Sequence, residues 1–295
     1  MTEPAQFTEH RISNETAAPY GVAVTDDGAV WVTLIRGSAV VRRDPDGSFA
    51  TISLGEGSEP ALPAVATEDS IWVTDSALNR VVRVGPEGIR GATSVPSSGA
   101  RPFGIASSDS GEVWFTEMTT DSIGRIDILG RVAEFTAGVE HGTPSMIASS
   151  GESVWFTLNA ADAVGYIRGG NSAVALTHLP TRGAGPVGIT VATDAAAWFT
   201  EIAAGQIGRI DRNGELTEYP LPDRGSKPHA IAANPEGGCW FTLWGSNQLG
   251  YIAADGTIAL TDLPTPDSEP HGLAVGQDGT VWIALETGFL AELRP

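Results

Sequence analysis

Short apolar runs of four or five residues recur along the whole chain, rich in β-branched and aromatic residues and bounded by Gly, Asp or Ser. Seven of them share one form: Val30-Trp31-Val32-Thr33, Ile71-Trp72-Val73-Thr74, Val113-Trp114-Phe115-Thr116, Val154-Trp155-Phe156-Thr157, Ala197-Trp198-Phe199-Thr200, Cys239-Trp240-Phe241-Thr242 and Val281-Trp282-Ile283-Ala284. Their tryptophans are 41, 42, 41, 43, 42 and 42 residues apart, and Trp244 alone stands outside the series. Runs this short, with no helical periodicity between them, predict strands.

About ten residues before each tryptophan a proline opens a second apolar run, as in Pro19-Tyr20-Gly21-Val22, Pro102-Phe103-Gly104-Ile105 and Pro270-His271-Gly272-Leu273. Turn signals such as Asp27-Gly28 and Asp278-Gly279 join the two runs as a hairpin. A third run follows, for instance Ile123-Gly124-Arg125-Ile126 or Ile207-Gly208-Arg209-Ile210, and after another Gly turn a fourth, such as Leu216-Thr217-Glu218-Tyr219. Four strands per repeat and seven repeats predict an all-β, seven-bladed β-propeller of four-stranded antiparallel sheets, occupying residues 1–295 as one domain. A two-layer sandwich does not account for the even strand count per period. Nor does it explain why the last copy stops after its third strand, Phe289 to Leu293, while the surplus segment Gln6 to Ile12 resembles a fourth. The N-terminal strand is expected to close the last blade.

Charge narrows the partners. A formal net charge of -19, with 17 basic residues scattered and no basic run, argues against nucleic-acid backbones and anionic membrane surfaces. A single cysteine, Cys239, excludes an intramolecular disulfide, and its place beside Trp240 reads as a buried inert thiol. The N-terminal residues show no signal-peptide pattern and no segment is long and apolar enough to span a bilayer, so a cytoplasmic monomer is expected.

Departures from the repeat point to a site. In a propeller, the start of the innermost strand and the end of the second share one rim. The residue after the proline reads Tyr20, Ala61, Phe103, Ser145, Val187, His229 and His271, which places two of the five histidines in adjacent blades and Tyr20 in the next one round. The residue before the proline reads Ala18, Glu59, Arg101, Thr143, Gly185, Lys227 and Glu269; four past the tryptophan stand Ile35, Ser76, Met118, Asn159, Ile202, Trp244 and Glu286. Only the seventh blade has an acid at both places. A hairpin turning at Asp278-Gly279 sets His271 opposite Glu286, with Glu269 two residues along the same strand face. Two carboxylates beside one imidazole suit a hard divalent cation such as Mg²⁺, held by Glu269 and Glu286, with His271 left as acid or base. The plainer alternative is a pair of solvated rim carboxylates with an incidental histidine. His10 and His178 fall on outer strands and read as surface residues; His141 lies on the same rim in a blade without partners. Glu117 and Glu201 belong to a repeated Trp-Phe-Thr-Glu pattern and read as structural, while Phe103 and Trp244 are rings for an apolar pocket or for packing between blades.

The Pro-x-Gly-Ile, Trp-Phe-Thr-Glu and Ile-Gly-Arg-Ile elements, over all seven copies, resemble those of the streptogramin B lyases, also called virginiamycin B lyases. The resemblance implies that His271 matches the catalytic histidine, Glu269 and Glu286 the two Mg²⁺ ligands, His229 a substrate-contacting histidine, and Tyr20 a tyrosine near the site. It further implies antibiotic resistance, through opening of a cyclic depsipeptide at its threonine ester by elimination. Two other readings stay open: a metal-dependent lactonase or esterase of propeller fold, and a propeller that binds a ligand or protein without catalysis.

Overall fold

The computed structural model describes residues 6–67, 69–168 and 173–294. They form seven four-stranded antiparallel sheets arranged as a β-propeller. Blade one comprises Pro19–Val24, Val30–Leu34, Ala39–Arg43 and Phe49–Ser53, and the next five blades repeat this order along the chain. All seven innermost strands begin at their proline, where the missing N–H costs no ladder bond. Blade seven takes Pro270–Val275, Val281–Leu285 and Phe289–Arg294 from the C-terminal end and Gln6–Arg11 as its outer strand, with Gln6 opposite Arg294 and Arg11 opposite Phe289. The expected closure by the N-terminal strand is therefore present. Glu9 even supplies the outer-strand bond of other blades: it accepts from Thr265 N and Oγ1, as Glu134 accepts from Ser97 and Glu218 from Thr181.

Two complementarities explain the repeat. In blades three to six the phenylalanine after the tryptophan lies across a glycine of the third strand (Phe115 on Gly124, Phe156 on Gly165, Phe199 on Gly208, Phe241 on Gly250), where any Cβ would strike the ring. Blades one, two and seven pair smaller residues there, Val32 with Val41, Val73 with Val82 and Ile283 with Ala291. A large ring is thus paired with no side chain and a smaller residue with another small one, which fills the space on each pair without overpacking it.

The threonine two past the tryptophan of each of the first six blades joins neighbouring blades. Its Oγ1 accepts an N–H from its own innermost strand at 2.8–3.2 Å. The same hydroxyl donates to the carbonyl after the next blade's proline at 2.6–2.7 Å. Thr33, Thr74, Thr116, Thr157, Thr200 and Thr242 do this in turn; at the seventh junction stands Ala284, fully buried. The apolar clusters likewise run between blades, as where Trp198 and Ile207 of blade five meet Ile231, Phe241 and Ile252 of blade six. Cys239 lies in that cluster, and burial pushes its thiol up to about 12, which makes it inert near neutrality.

Candidate active site

Every innermost hairpin is bulged just after its proline. In blade seven Leu273 pairs with Ile283 but Pro270 pairs with Leu285, leaving His271 and Gly272 in the bulge. The straight ladder expected from the turn, with His271 opposite Glu286, is therefore incorrect: the turn already pairs Val275 with Val281, one residue short of that count, the bulge shifts the register once more, and Glu286 lies beyond the strand end. Glu269 is also off the strand, with φ of 51° in the left-handed region. Ala18, Arg101, Thr143 and Lys227 share this conformation ahead of their prolines. A bulge of this kind turns side chains out of the pleat toward the rim.

The two series flanking the innermost hairpin are nonetheless joined. In every blade the N–H four past the tryptophan donates to the carbonyl before the proline: Ile35 to Ala18, Ser76 to Glu59, Met118 to Arg101, Asn159 to Thr143, Ile202 to Gly185, Trp244 to Lys227 and Glu286 to Glu269. The backbone thus sets Glu269 and Glu286 side by side, with Glu286 N to Glu269 O at 3.3 Å. Ligand atoms of Glu269, His271 and Glu286 lie within 4.8 Å of one another. His271 Nε2 is 2.9 Å from Glu286 Oε2, and Arg36 Nη1 of blade one is 2.7 Å from Glu286 Oε1. Rings pack around this group: Tyr20 and His229 stand 4.7 and 4.9 Å from His271 between centroids, Trp244 6.2 Å, and Phe103 6.0 Å from Tyr20. Tyr20 Oη and His229 Nε2 are 3.3 Å apart.

Protonation follows from burial and neighbours. Burial, with His271 adding to it, drives His229 down to about 3, so its imidazole is neutral. Neutral His229 accepts at Nε2 from the Tyr20 hydroxyl, which burial and then the Glu286 charge hold well above its usual range. Burial also lowers His271, against the opposing pull of its Glu286 hydrogen bond. With Nε2 donating to the Glu286 carboxylate, His271 keeps its lone pair on Nδ1, a buried atom without a hydrogen-bond partner among the described residues. Glu269 is raised, chiefly because its carboxyl shares a hydrogen bond with Glu286. Glu286 itself is lowered: burial pulls it up, but the hydrogen bonds of His271 and Glu269 outweigh that. Two crowded carboxyl oxygens beside an imidazole fit a hard divalent cation, which would relieve their mutual repulsion.

The profile of the virginiamycin B lyase family matches residues 5–293. The chain belongs to the virginiamycin B lyase family. A virginiamycin B lyase of Nocardia farcinica is 41% identical over 204 residues, which are 69% of this chain and 70% of that protein. The crystal structure of the virginiamycin B lyase from Staphylococcus aureus superimposes with a TM-score of 0.94 at 32% identity, covering 99% of this chain and 100% of that one. A catalytically inactive variant of the Staphylococcus aureus lyase with quinupristin gives 0.93 at 31%, covering 99% and 100%.

In this virginiamycin B lyase family member, Tyr20, His229, Glu269, His271 and Glu286 gather at one rim, while the other named residues lie apart. His178 is exposed on an outer strand; His141 is exposed in its loop, with its N–H bonded to Asp121. His10 departs from its expected exposure: it is half-buried, with Nε2 2.8 Å from Glu292 Oε2, and ties the N-terminal strand to its neighbour. Glu117 and Glu201 are fully buried at their strand ends, apart from the histidines. Three clefts of about 370, 460 and 300 Å³ open on the opposite face, among turn residues such as Asp27, Asn213 and Asp278, and involve none of the site residues. Arg36 is the residue the sequence reading missed. Its position, five past the tryptophan, reads Arg36, Ala77, Thr119, Ala160, Ala203, Gly245 and Thr287, and a charge in that series was the available signal.

Proposed function

We propose that the chain is a Mg²⁺-dependent carbon–oxygen lyase that linearises cyclic depsipeptides of the streptogramin B class at their threonine ester, and so confers resistance to them. The observation that carries this reading is the convergence of Glu269, His271 and Glu286, in a member of the virginiamycin B lyase family, on the rim flanked by Tyr20 and His229. The inactive Staphylococcus aureus relative with quinupristin supports the substrate class.

His271 acts as the base. Neutral at physiological pH because burial lowers it, the imidazole takes the proton from the threonine α-carbon, and the Glu286 carboxylate beside it stabilises the imidazolium that forms. The carbon–hydrogen electron pair becomes the α,β double bond, and the β carbon–oxygen bond breaks with its pair passing to the departing carboxylate. Mg²⁺ bound by Glu269 and Glu286 would supply Lewis acidity to the carbonyl next to the α-carbon. The Tyr20 hydroxyl, kept protonated by burial, and neutral His229 position the substrate beside His271.

Mass spectrometry of a streptogramin B incubated with the protein tests this reading. Linear product of unchanged mass is expected, lost with His271→Ala or Glu286→Gln and after chelation. A product heavier by one water identifies a hydrolase, and an intact antibiotic leaves only binding.

A further inference from the structure

Both oxygens of Glu286 are already engaged. Oε2 holds His271 Nε2 at 2.9 Å and Oε1 holds Arg36 Nη1 at 2.7 Å. A cation drawn to Glu269 and Glu286 must therefore displace one partner or share its oxygen. The histidine is the harder to move: its side chain is 12% exposed and packed between Tyr20, His229 and Trp244. The arginine side chain is 67% exposed. Its backbone N–H is anchored to Ala17 O at 3.1 Å, so the guanidinium can swing away without disturbing the rim. A guanidinium and a divalent cation on one carboxylate also repel each other.

We propose that Arg36 is the resident counter-cation of the Glu269–Glu286 pair and competes with the divalent cation, so that loading the site expels the guanidinium from Glu286 Oε1 toward the open rim. This rests on the reading of the two glutamates as metal ligands. Arg36 lowers the affinity of the site and makes loading an exchange of cations: one positive charge leaves the pair as two arrive. Without Arg36 the metal meets no resident cation at Glu286 Oε1. Because Arg36 belongs to blade one and Glu286 to blade seven, the exchange also opens and closes an ion pair across the junction where Ala284 replaces the bridging threonine.

Mn²⁺ is a suitable probe, with free ion followed by electron paramagnetic resonance during titration of the chelator-treated full chain. Arg36→Gln is expected to bind Mn²⁺ about ten-fold more tightly than the unaltered protein. Arg36→Lys, which keeps the charge but not the fork, should lie between them. Lys227→Gln removes a different rim charge and should change the dissociation constant by less than about three-fold, since exposed charges not in contact with the pair are screened. Arg36→Gln should also melt lower than the unaltered protein after chelation and alike at saturating Mn²⁺. Equal or weaker Mn²⁺ binding by Arg36→Gln, or equal tightening by Lys227→Gln, overturns the competition while leaving the metal site intact. If neither protein binds Mn²⁺, or if binding survives Glu269→Gln, the assignment of the carboxylate pair fails and the inference falls with it.

Discussion

Replacing Glu201 by glutamine should remove a pH dependence from the stability of the fold. Glu201 is fully buried at the end of a strand, with Oε2 accepting from Gln206 Nε2 at 2.6 Å and Oε1 unpartnered among the described residues. Burial raises its carboxyl to about 7, and the Glu218 charge adds to this against the Gln206 bond. The folded state therefore binds the proton more tightly than the unfolded chain, where the group titrates near 4.5. Its contribution is fully present below that value and fades as pH rises through about 7. Some 2.5 units of difference correspond to about 3 kcal/mol between the acid and alkaline limits. The amide cannot ionise, and its oxygen still accepts from Gln206. Relative to the unaltered protein, Glu201→Gln should gain about 3 kcal/mol between pH 4.5 and pH 8.5. At the acid end it should be equal or slightly less stable, because the amide N–H₂ meets the place of the unpartnered oxygen. Urea midpoints at half-unit pH steps measure this. A stability difference that does not change with pH would refute the reasoning, as would one that grows toward acid.

Four further outcomes follow from the repeat and the site. Gly208→Ala should cost about 1–3 kcal/mol by pressing a methyl into the Phe199 ring. Phe199→Val in the same chain should recover at least 1 kcal/mol, since blades one and two already use valine pairs there; additive losses in a double-mutant cycle would contradict it. Ala284→Thr should restore the missing bridge from Gly272 N to Tyr20 O and raise stability by about 1 kcal/mol, read as a higher melting temperature. Deleting residues 1–12 should lower both melting temperature and turnover, because it strips Glu9 from Thr265 and His10 from Glu292; unimpaired turnover would separate ring closure from the site. The acid limb of kcat/KM should have its inflection below 6.5, the ordinary value for histidine, since burial lowers His271 and the neutral ring is the active form. An inflection above 7 would point to a different base.

The architecture was legible because the tryptophan spacing and the proline at each strand start are properties of the local chain. The blade closure was legible too, since a missing strand at one end matched a surplus at the other. Finer geometry was hidden in the turn and the bulge. A hairpin counted outward from Asp278-Gly279 assumes a two-residue turn and a straight ladder. The turn instead pairs Val275 with Val281, and a bulge follows Pro270 even though blade seven has Ala284 where the first six blades carry the bridging threonine, so no residue type within this hairpin marks either departure. A two-residue step back along an extended strand likewise puts Glu269 on the strand, whereas its φ of 51° takes it off the pleat. That Glu269 and Glu286 meet nevertheless follows from one backbone bond repeated in all seven blades, which ties the two series in which their acidity stood out. Arg36 escaped notice because its carboxylate partner lies some 250 residues away in sequence.

Blade seven departs from the repeat in ways that belong together. It lacks the bridging threonine, at Ala284, and it carries Glu292 opposite its tryptophan where blades one, two, three and five carry arginine and blades four and six tyrosine. Each change gives up an interaction that the other blades use. Compensation comes from the N-terminal end of the chain. Arg43 of blade one stacks on Trp282, His10 of the N-terminal strand binds Glu292, Glu9 caps Thr265, and Arg36 binds Glu286. The junction where the two carboxylates and the histidine stand thus lacks the threonine bridge of the others, and the partners that face it all lie at the other end of the chain. The candidate site is therefore complete only when the two ends of the chain meet and the ring is closed.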